Sequence, residues 1–399
     1  MRSNLAKPGR KTWRFDQIAT NVNERVEPGD VNVDHYVGLE HLDPDSLKIR
    51  RWGTPDDVGA TKLRFKKGDI IFGRRRVYQR KLAVAEFDGI CSAHAMVLRP
   101  KTDVVLPEFL PFFMQSDLFM NRALEISVGS LSPTINWKTL AKQEFALPPL
   151  EEQRRIAKLL LATNKVYENL STTLDTAIAL YQSVTDAHIR GDHKSDRVNT
   201  PIGVRPGDWP IVSLESTFAD SLYGLSTSPR SKGKFPILRM MNIENRLTVE
   251  NDLKYVNLSE KDFEKYQLKH GDILFNRTNS YELVGRTGVY KLEGKHVFAS
   301  YLVRVRTDGK KLIPEFLVAY LNSSPGRQLV LSYATRGVSQ TNVNATNLGK
   351  ILIALPPIRE QEIMISEQQA VLDNIQRLET RRESAYQLTK NSVEQLLGN

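Results

Sequence analysis

From Leu150 to about Ile189, apolar residues return every three or four positions: Ile156, Leu159, Leu160, Val166, Tyr167, Leu170, Leu174, Ala177, Leu180, Tyr181 and Val184. That period follows the turn of an α-helix and predicts one long amphipathic helix. Pro148 and Pro149 stop whatever precedes them and fix an extended entry. No Pro or Gly follows until Gly191, so about 40 residues can run unbroken for roughly 60 Å. A second such run extends to Leu397, with Met364, Val371, Ile375, Leu378, Ala385 and Leu396 as its stripe. Gln368 and Arg382 interrupt this stripe, which predicts looser packing and a face left open for partners.

The two runs share their entry. Leu355-Pro-Pro-Ile-Arg-Glu-Gln361 repeats Leu147-Pro-Pro-Leu-Glu-Glu-Gln153 at an offset of 208. Upstream of each run the pattern changes to short strands and turns. Leu63-Arg-Phe-Lys-Lys-Gly-Asp-Ile-Ile-Phe72 predicts two strands about a Lys-Gly-Asp hairpin turn. Val84–Phe87 and Ala95–Leu98 predict further strands, and Pro107 to Ser116 a short helix with Pro in its first turn. Leu268-Lys-His-Gly-Asp-Ile-Leu-Phe275 repeats residues 65–72 at an offset of 203, and Pro314-Glu-Phe316 repeats Pro107-Glu-Phe109 at 207. Near-constant offsets at three landmarks make the chain two copies of one globule-plus-helix unit.

The expected organisation is a globule over 1–149, a long helix over 150–190, a polar linker over 191–206, a second globule over 207–355 and a second helix over 356–399. Residues 1–11 are expected to form a loose basic tail. Two copies in one chain favour pseudo-two-fold symmetry, which makes the two helices antiparallel. The expected spacer is a coiled coil with a globule at each end.

Charge adds a partner class. The chain carries 56 Lys and Arg against 46 Asp and Glu, a net +10 with pI near 9.4, which favours a polyanion such as nucleic acid. The single cysteine, Cys91, excludes an internal disulfide and a multi-cysteine metal site and fits a reducing cytosol. No apolar run approaches the ~18 residues of a membrane span, and Met1-Arg-Ser-Asn lacks a signal-peptide core. The expectation is a cytoplasmic protein with no membrane partner.

Catalytic patterns fail on inspection. An adenine methyltransferase needs a polar residue and an aromatic ring around Pro-Pro to hold a flipped base. Here Leu147, Leu150, Leu355 and Ile358 occupy those places. There is no Gly-x-Gly cofactor loop and no phosphate loop. Glu282, Glu293 and Lys295 resemble a nuclease set only by chance spacing, since Gly294 predicts a turn. His188, Asp192 and His193 lie at a helix end, with the two histidines out of phase on its faces, and are expected to be solvated polar residues. The chain is expected to be non-catalytic, with no metal and no cofactor of its own.

The positive signal is a pair of polar clusters. From Lys66 to Lys81 seven cations, Lys66, Lys67, Arg74, Arg75, Arg76, Arg80 and Lys81, face one acid, Asp69. Tyr78 and Gln79 add stacking and hydrogen bonding. After the matching strand of the second copy come Asn276, Arg277, Thr278, Asn279, Ser280 and then Arg286. Asn and Arg can pair bidentately with adenine and guanine in the major groove, while Ser and Thr more often hold phosphate. These fifteen residues are the candidate DNA contacts.

With these features in place the sequence resembles the specificity (S) subunits of type I restriction–modification enzymes over essentially its whole length. The carriers are the two Leu-Pro-Pro-Leu/Ile-x-Glu-Gln helix starts and the Gly-Asp-Ile-Ile/Leu-Phe strands. Tyr36–Leu42, Asn276–Ser280, Glu282–Gly285 and Phe298–Leu302 add to them. The resemblance implies an α+β target recognition domain in each half, each reading one half of a bipartite, asymmetric site in double-stranded DNA. It also implies two modification (methyltransferase) subunits, which bring S-adenosylmethionine, and two restriction (motor and nuclease) subunits. The competing readings are a standalone nuclease or methyltransferase, and a coiled-coil scaffold whose basic loops are incidental.

Overall fold

The computed structural model describes residues 9–338 and 340–397. Most of the expected N-terminal tail, residues 1–8, lies outside the described residues. The chain divides into two compact units. One holds the residues through Thr172 together with those from Glu379 onward; the other holds Thr173–Leu378.

The first long helix spans Leu150–Arg190 and the second Ile358–Leu397. Each contributes to both units. In the first unit Ile156, Ala157 and Leu160 share a core with Val393 and Leu397, and the rings of Tyr167 and Tyr386 lie 5.9 Å apart. In the second unit Leu174 and Tyr181 pack with Ile375, and Val371, Leu372 and Leu378 join them. Within each unit partner numbers fall as residue numbers rise, so the two helical segments run in opposite directions. Part of the expected stripe faces solvent: Leu159, Val166 and Leu180 are about half exposed. Gln368, expected to loosen the seam, is buried within it, with its amide 3.4 Å from His188 Nδ1.

The helix-entry motif has a specific job. Gln153 is fully buried; its Oε1 accepts from the Leu106 N–H at 2.9 Å, and its Nε2 donates to Val104 O and Pro148 O. Gln361 is also fully buried and repeats the bracket on Ile313 N–H, Lys311 O and Pro356 O. One side chain thereby ties the first proline of Pro-Pro, the loop before the domain's helix and the start of the long helix. Buried backbone groups must find such partners.

In the first unit a four-stranded antiparallel sheet has the order Ala19–Val22, Ala95–Pro100, Ile70–Gly73, Leu82–Val84. A second sheet orders Arg25–Val26, Lys62–Phe65, Gly89–Cys91 and Tyr36–Val37, its last pair parallel. Ile70 and Phe72 face an aromatic core with Phe15, Phe113, Phe119 and Phe145; Ile71 faces the opposite core with Phe65 and Val97. A strand buried on both faces reads as a continuous apolar run, which is why Ile-Ile-Phe shows no alternation.

The second unit has a six-stranded sheet whose centre is Leu302–Thr307, Ile273–Asn276 and Thr287–Val289, with Phe218–Tyr223 at one edge. A three-stranded sheet combines Phe235–Leu238, Lys254–Val256 and Val297–Phe298. Ile273 and Phe275 again face one core and Leu274 another. Within the polar stretch after the first long helix, Arg197–Thr200 and Gly203–Pro206 pair as a hairpin.

The Lys-Gly-Asp turn is not the expected hairpin. Lys62–Phe65 and Ile70–Gly73 belong to different sheets, so the turn carries the chain from one sheet to the other. Gly68 and Gly271 sit at φ +89° and +86°, where a side chain would be strained. The following aspartates are buried: Asp69 accepts from Lys66 N–H and a bidentate Arg99, Asp272 from Lys269 N–H and a bidentate Arg306. In the first unit the Gly-Asp turn therefore switches the chain between sheets, while in the second it leads from the helix Glu260–Tyr266 into Ile273–Asn276; both are locked by an arginine on the neighbouring strand.

Candidate nucleic-acid interface

The run of seven cations in the first unit divides into three groups. Lys66 and Lys67 are exposed at the start of strand Ile70–Gly73, and Arg74, Arg75 and Arg76 follow its end. At about 3.3 Å per residue, Lys67 and Arg74 stand up to roughly 23 Å apart along the chain. Arg80 and Lys81 turn inward. Arg80 bonds Asp45 at 2.7 Å and Asp117 at 2.8 Å and donates to Gln115 O, while Lys81 Nζ donates to Leu39 O. The turn Val77–Gln79 between them is flanked by Arg76 and Arg80, both in the left-handed region at φ +55° and +51°. Tyr78 is 55% exposed and Gln79 half-buried.

Arg74 to Arg76 are held by backbone bonds. Arg74 N–H donates to His94 O, its carbonyl accepts from Ile135 N–H, and Arg76 N–H donates to Pro133 O at 2.7 Å. Arg76 Nε also reaches Ser132 Oγ, and Arg75 lies 3.4 Å from His94 Nε2. Burial, then the charges of Arg75 and Arg74, push the His94 pKa down, so the imidazole adds no charge near neutral pH.

The second unit repeats the frame with different side chains. Arg277 N–H donates to Tyr301 O and its carbonyl accepts from Val343 N–H, the counterparts of His94 and Ile135. Its guanidinium donates to Ser300 O and lies 5.0 Å from the Tyr223 ring. The Nε atoms of Arg74 and Arg277 are both buried without a hydrogen-bond partner. Thr278 accepts from Asn342 Nδ2, Asn279 reaches Met240 Sδ at 3.3 Å, and Ser280 opens the next turn. Arg286 is exposed. Asn276 is fully buried, and neither end of its amide has a partner.

Several neighbours were not singled out from the sequence. Arg336 sits 4.1 Å over the Tyr281 ring, and Arg327 donates to Tyr281 O at 2.6 Å. A hairpin lies along each arginine-bearing segment: Val128 pairs with Thr134 and Thr134 with Arg75, while Thr335–Arg336 pairs with Thr341–Asn342 and that strand with Thr278–Asn279. A signal was present, since Asn136 and Asn344 each cap the short helix that follows and stand 208 apart.

The weaker candidates acquire structural roles. His188 is not solvated: its side chain is 15% exposed and its Nε2 lies 3.0 Å from Glu367. Burial lowers its pKa against the pull of Glu367. Lys295 lies over the Phe263 ring. Among the described residues no group of three or more His, Cys, Asp or Glu is placed to hold a metal, and no helix is long and apolar enough to cross a membrane.

The model of the type I restriction modification DNA specificity domain matches residues 58–177 and again 218–385, each match running from a globule into its long helix. The chain belongs to this family. The specificity subunit of the type I restriction enzyme StySPI from Salmonella potsdam is 25% identical over 329 residues, covering 81% of this chain and 68% of that protein. The EcoKI specificity subunit of Escherichia coli K12 is 23% identical over 364 residues, covering 90% and 76%. The type I S subunit from M. genitalium superimposes with a TM-score of 0.57 at 13% identity, covering 100% of this chain and 98% of that one, a likeness of fold. The chain is a type I DNA specificity subunit, and its relatives by name are specificity subunits rather than catalytic ones.

For this specificity subunit the geometry sorts the first cluster. Changing Arg74, Arg75 and Arg76 together to Ala should flatten the plot of log affinity for DNA against log salt by about two to three units, one for each phosphate no longer neutralised. Arg80→Ala should leave that slope unchanged and lower stability by about 1–2 kcal/mol, because its partners are protein carboxylates. A salt titration of binding beside urea unfolding of the two variants checks both. An unchanged slope in the triple variant removes these arginines from the interface.

Proposed function

We propose that each globule, 1–149 and 207–355, reads one half of a bipartite, asymmetric double-stranded DNA site. The observation that carries this is the repeated segment Arg74–Arg76 and Arg277–Asn279. Its first residue has the same backbone partners in both units, and both segments lie along a hairpin, yet their side chains differ. One frame with two side-chain sets is what reading two different half-sites requires. Lys66, Lys67, Tyr78, Gln79, Ser280 and Arg286 belong to the wider contact surface. Arg80, Lys81, Thr278 and Asn276 act by shaping it.

The long helices, 150–190 and 356–399, act as an antiparallel coiled-coil spacer, with 191–206 as the link between halves and a pseudo-two-fold axis relating them. The opposite run of helical segments within each unit supports this. Two modification subunits dock on the chain and methylate an adenine in each half-site, using S-adenosylmethionine that they bind themselves. Two restriction subunits supply translocation and cleavage. The specificity subunit works in the cytoplasm and contributes position alone.

If the helices set the spacing, four extra helical residues between Thr172 and Thr173 lengthen the first by roughly 6 Å. One duplex turn of about 10–10.5 base pairs spans some 34–36 Å, so the gap between half-sites should widen by about two base pairs. The insert also rotates the helix by a net ~40° against ~70° for two base pairs, so some affinity should be lost. Mapping methylated adenines for the insertion variant reads the gap. An unchanged gap with full activity rules the spacer role out.

A further inference from the structure

We infer that Leu131 and Val338, at the tips of the two hairpins that flank the arginine-bearing segments, enter a groove of the duplex and touch base edges. The inference rests on the half-site reading above and names residues that composition and charge do not pick out.

Backbone bonds close both hairpins below Leu131 and Val338. In the first unit Val128 and Thr134 exchange both backbone bonds at 3.0 Å, Gly129 turns the chain at φ +115°, and Pro133 O accepts from Arg76 N–H. Leu131 at the tip is 90% exposed. In the second unit Gly337 N–H donates to Gln340 O beneath Val338, whose side chain stands entirely free of the protein. One exposed apolar residue is ordinary. Here each of two corresponding hairpins carries one at its tip, beside Arg75 and Arg76 in one unit and Arg336 in the other.

The setting selects the partner. Arginines beside the hairpin attract a polyanion, and an apolar tip gains nothing from a phosphate. Within a duplex, apolar side chains meet the thymine methyl group in the major groove or the faces of opened base steps. The tips are not identical: counted from the capping asparagines Asn136 and Asn344, Leu131 is one position further along than Val338. The two half-sites therefore meet different apolar contacts.

The test uses the full chain with its modification subunits and two duplexes. One carries the site obtained by methylation mapping; the other has the same composition with that site scrambled. Leu131→Ser and Val338→Ser alter only exposed tips. Each should weaken binding to the site about tenfold, leave the scrambled duplex unaffected and leave the salt slope unchanged. Undiminished binding to the site overturns the inference, as does an equal loss on both duplexes. So does loss of the modification subunits on gel filtration, which would make the tips a protein contact. If the unaltered complex does not prefer its site, the half-site reading itself fails, and this inference with it.

Discussion

Replacing Gln361 by Met should lower the stability of the second unit by about 3–6 kcal/mol, because one buried and two partly buried backbone groups lose their partner, and each left unpaired costs about 1–3 kcal/mol, least where water can reach it. Met fills nearly the same volume, so the loss reports hydrogen bonding rather than a cavity. The three groups are Ile313 N–H, Lys311 O and Pro356 O. Gln153→Met should do the same to the first unit through Leu106 N–H, Val104 O and Pro148 O. With two compact units a single unfolding transition is not assumed. Amide hydrogen exchange resolves them: Ile313 should lose protection in the first variant and Leu106 in the second, each leaving the other site protected. Retained protection at both would show that the glutamines are not the bracket.

That bracket shows what sequence could and could not deliver. The Leu-Pro-Pro motif and its Gln were visible as a repeat, and the Pro-Pro entry with an unbroken periodic run placed both long helices. What the glutamines do was hidden, because two of the three partners of each lie 47 to 50 residues earlier in the chain. The same limit explains the hairpin reading of Lys-Gly-Asp. Two strands close in sequence pair by default, and only the strand pairings far along the chain reveal that it changes sheet, Lys62–Phe65 joining Gly89–Cys91 and Ile70–Gly73 joining Ala95–Pro100. Periodicity also overstated the helix seam, since a 3.6-residue stripe is wider than one partner can cover and leaves Leu159, Val166 and Leu180 half exposed.

The charge run misled in a comparable way. Seven cations in sixteen positions read as one patch, but an extended strand separates Lys66 and Lys67 from the arginines. Two left-handed residues around Val77–Gln79 then help turn Arg80 back onto Asp45 and Asp117. Linear density cannot encode that reversal. The hairpins beside Arg75 and Thr278 went unread for the opposite reason: their Gly, Ser and Thr carry no strand pattern, and only the capping asparagines at a constant offset mark them.

Cutting the chain after Gly191 should change which DNA is methylated altogether. The first unit draws Val393 and Leu397 into its core from the second long helix, so a fragment of residues 1–191 lacks part of its packing. A second copy of the fragment can supply it: its helical residues 173–190 run antiparallel to the first copy's 150–172, with Leu174, Tyr181 and Ile189 in place of the missing side chains. The pair then carries two identical readers. Sedimentation should give a dimer, and with modification subunits the activity should pass from the asymmetric parent site to a symmetric one. Mapping methylated adenines for the fragment is the most direct measurement of the account. It predicts an inverted repeat of one parent half-site. A monomer, or methylation that stays at the asymmetric parent site, would contradict it.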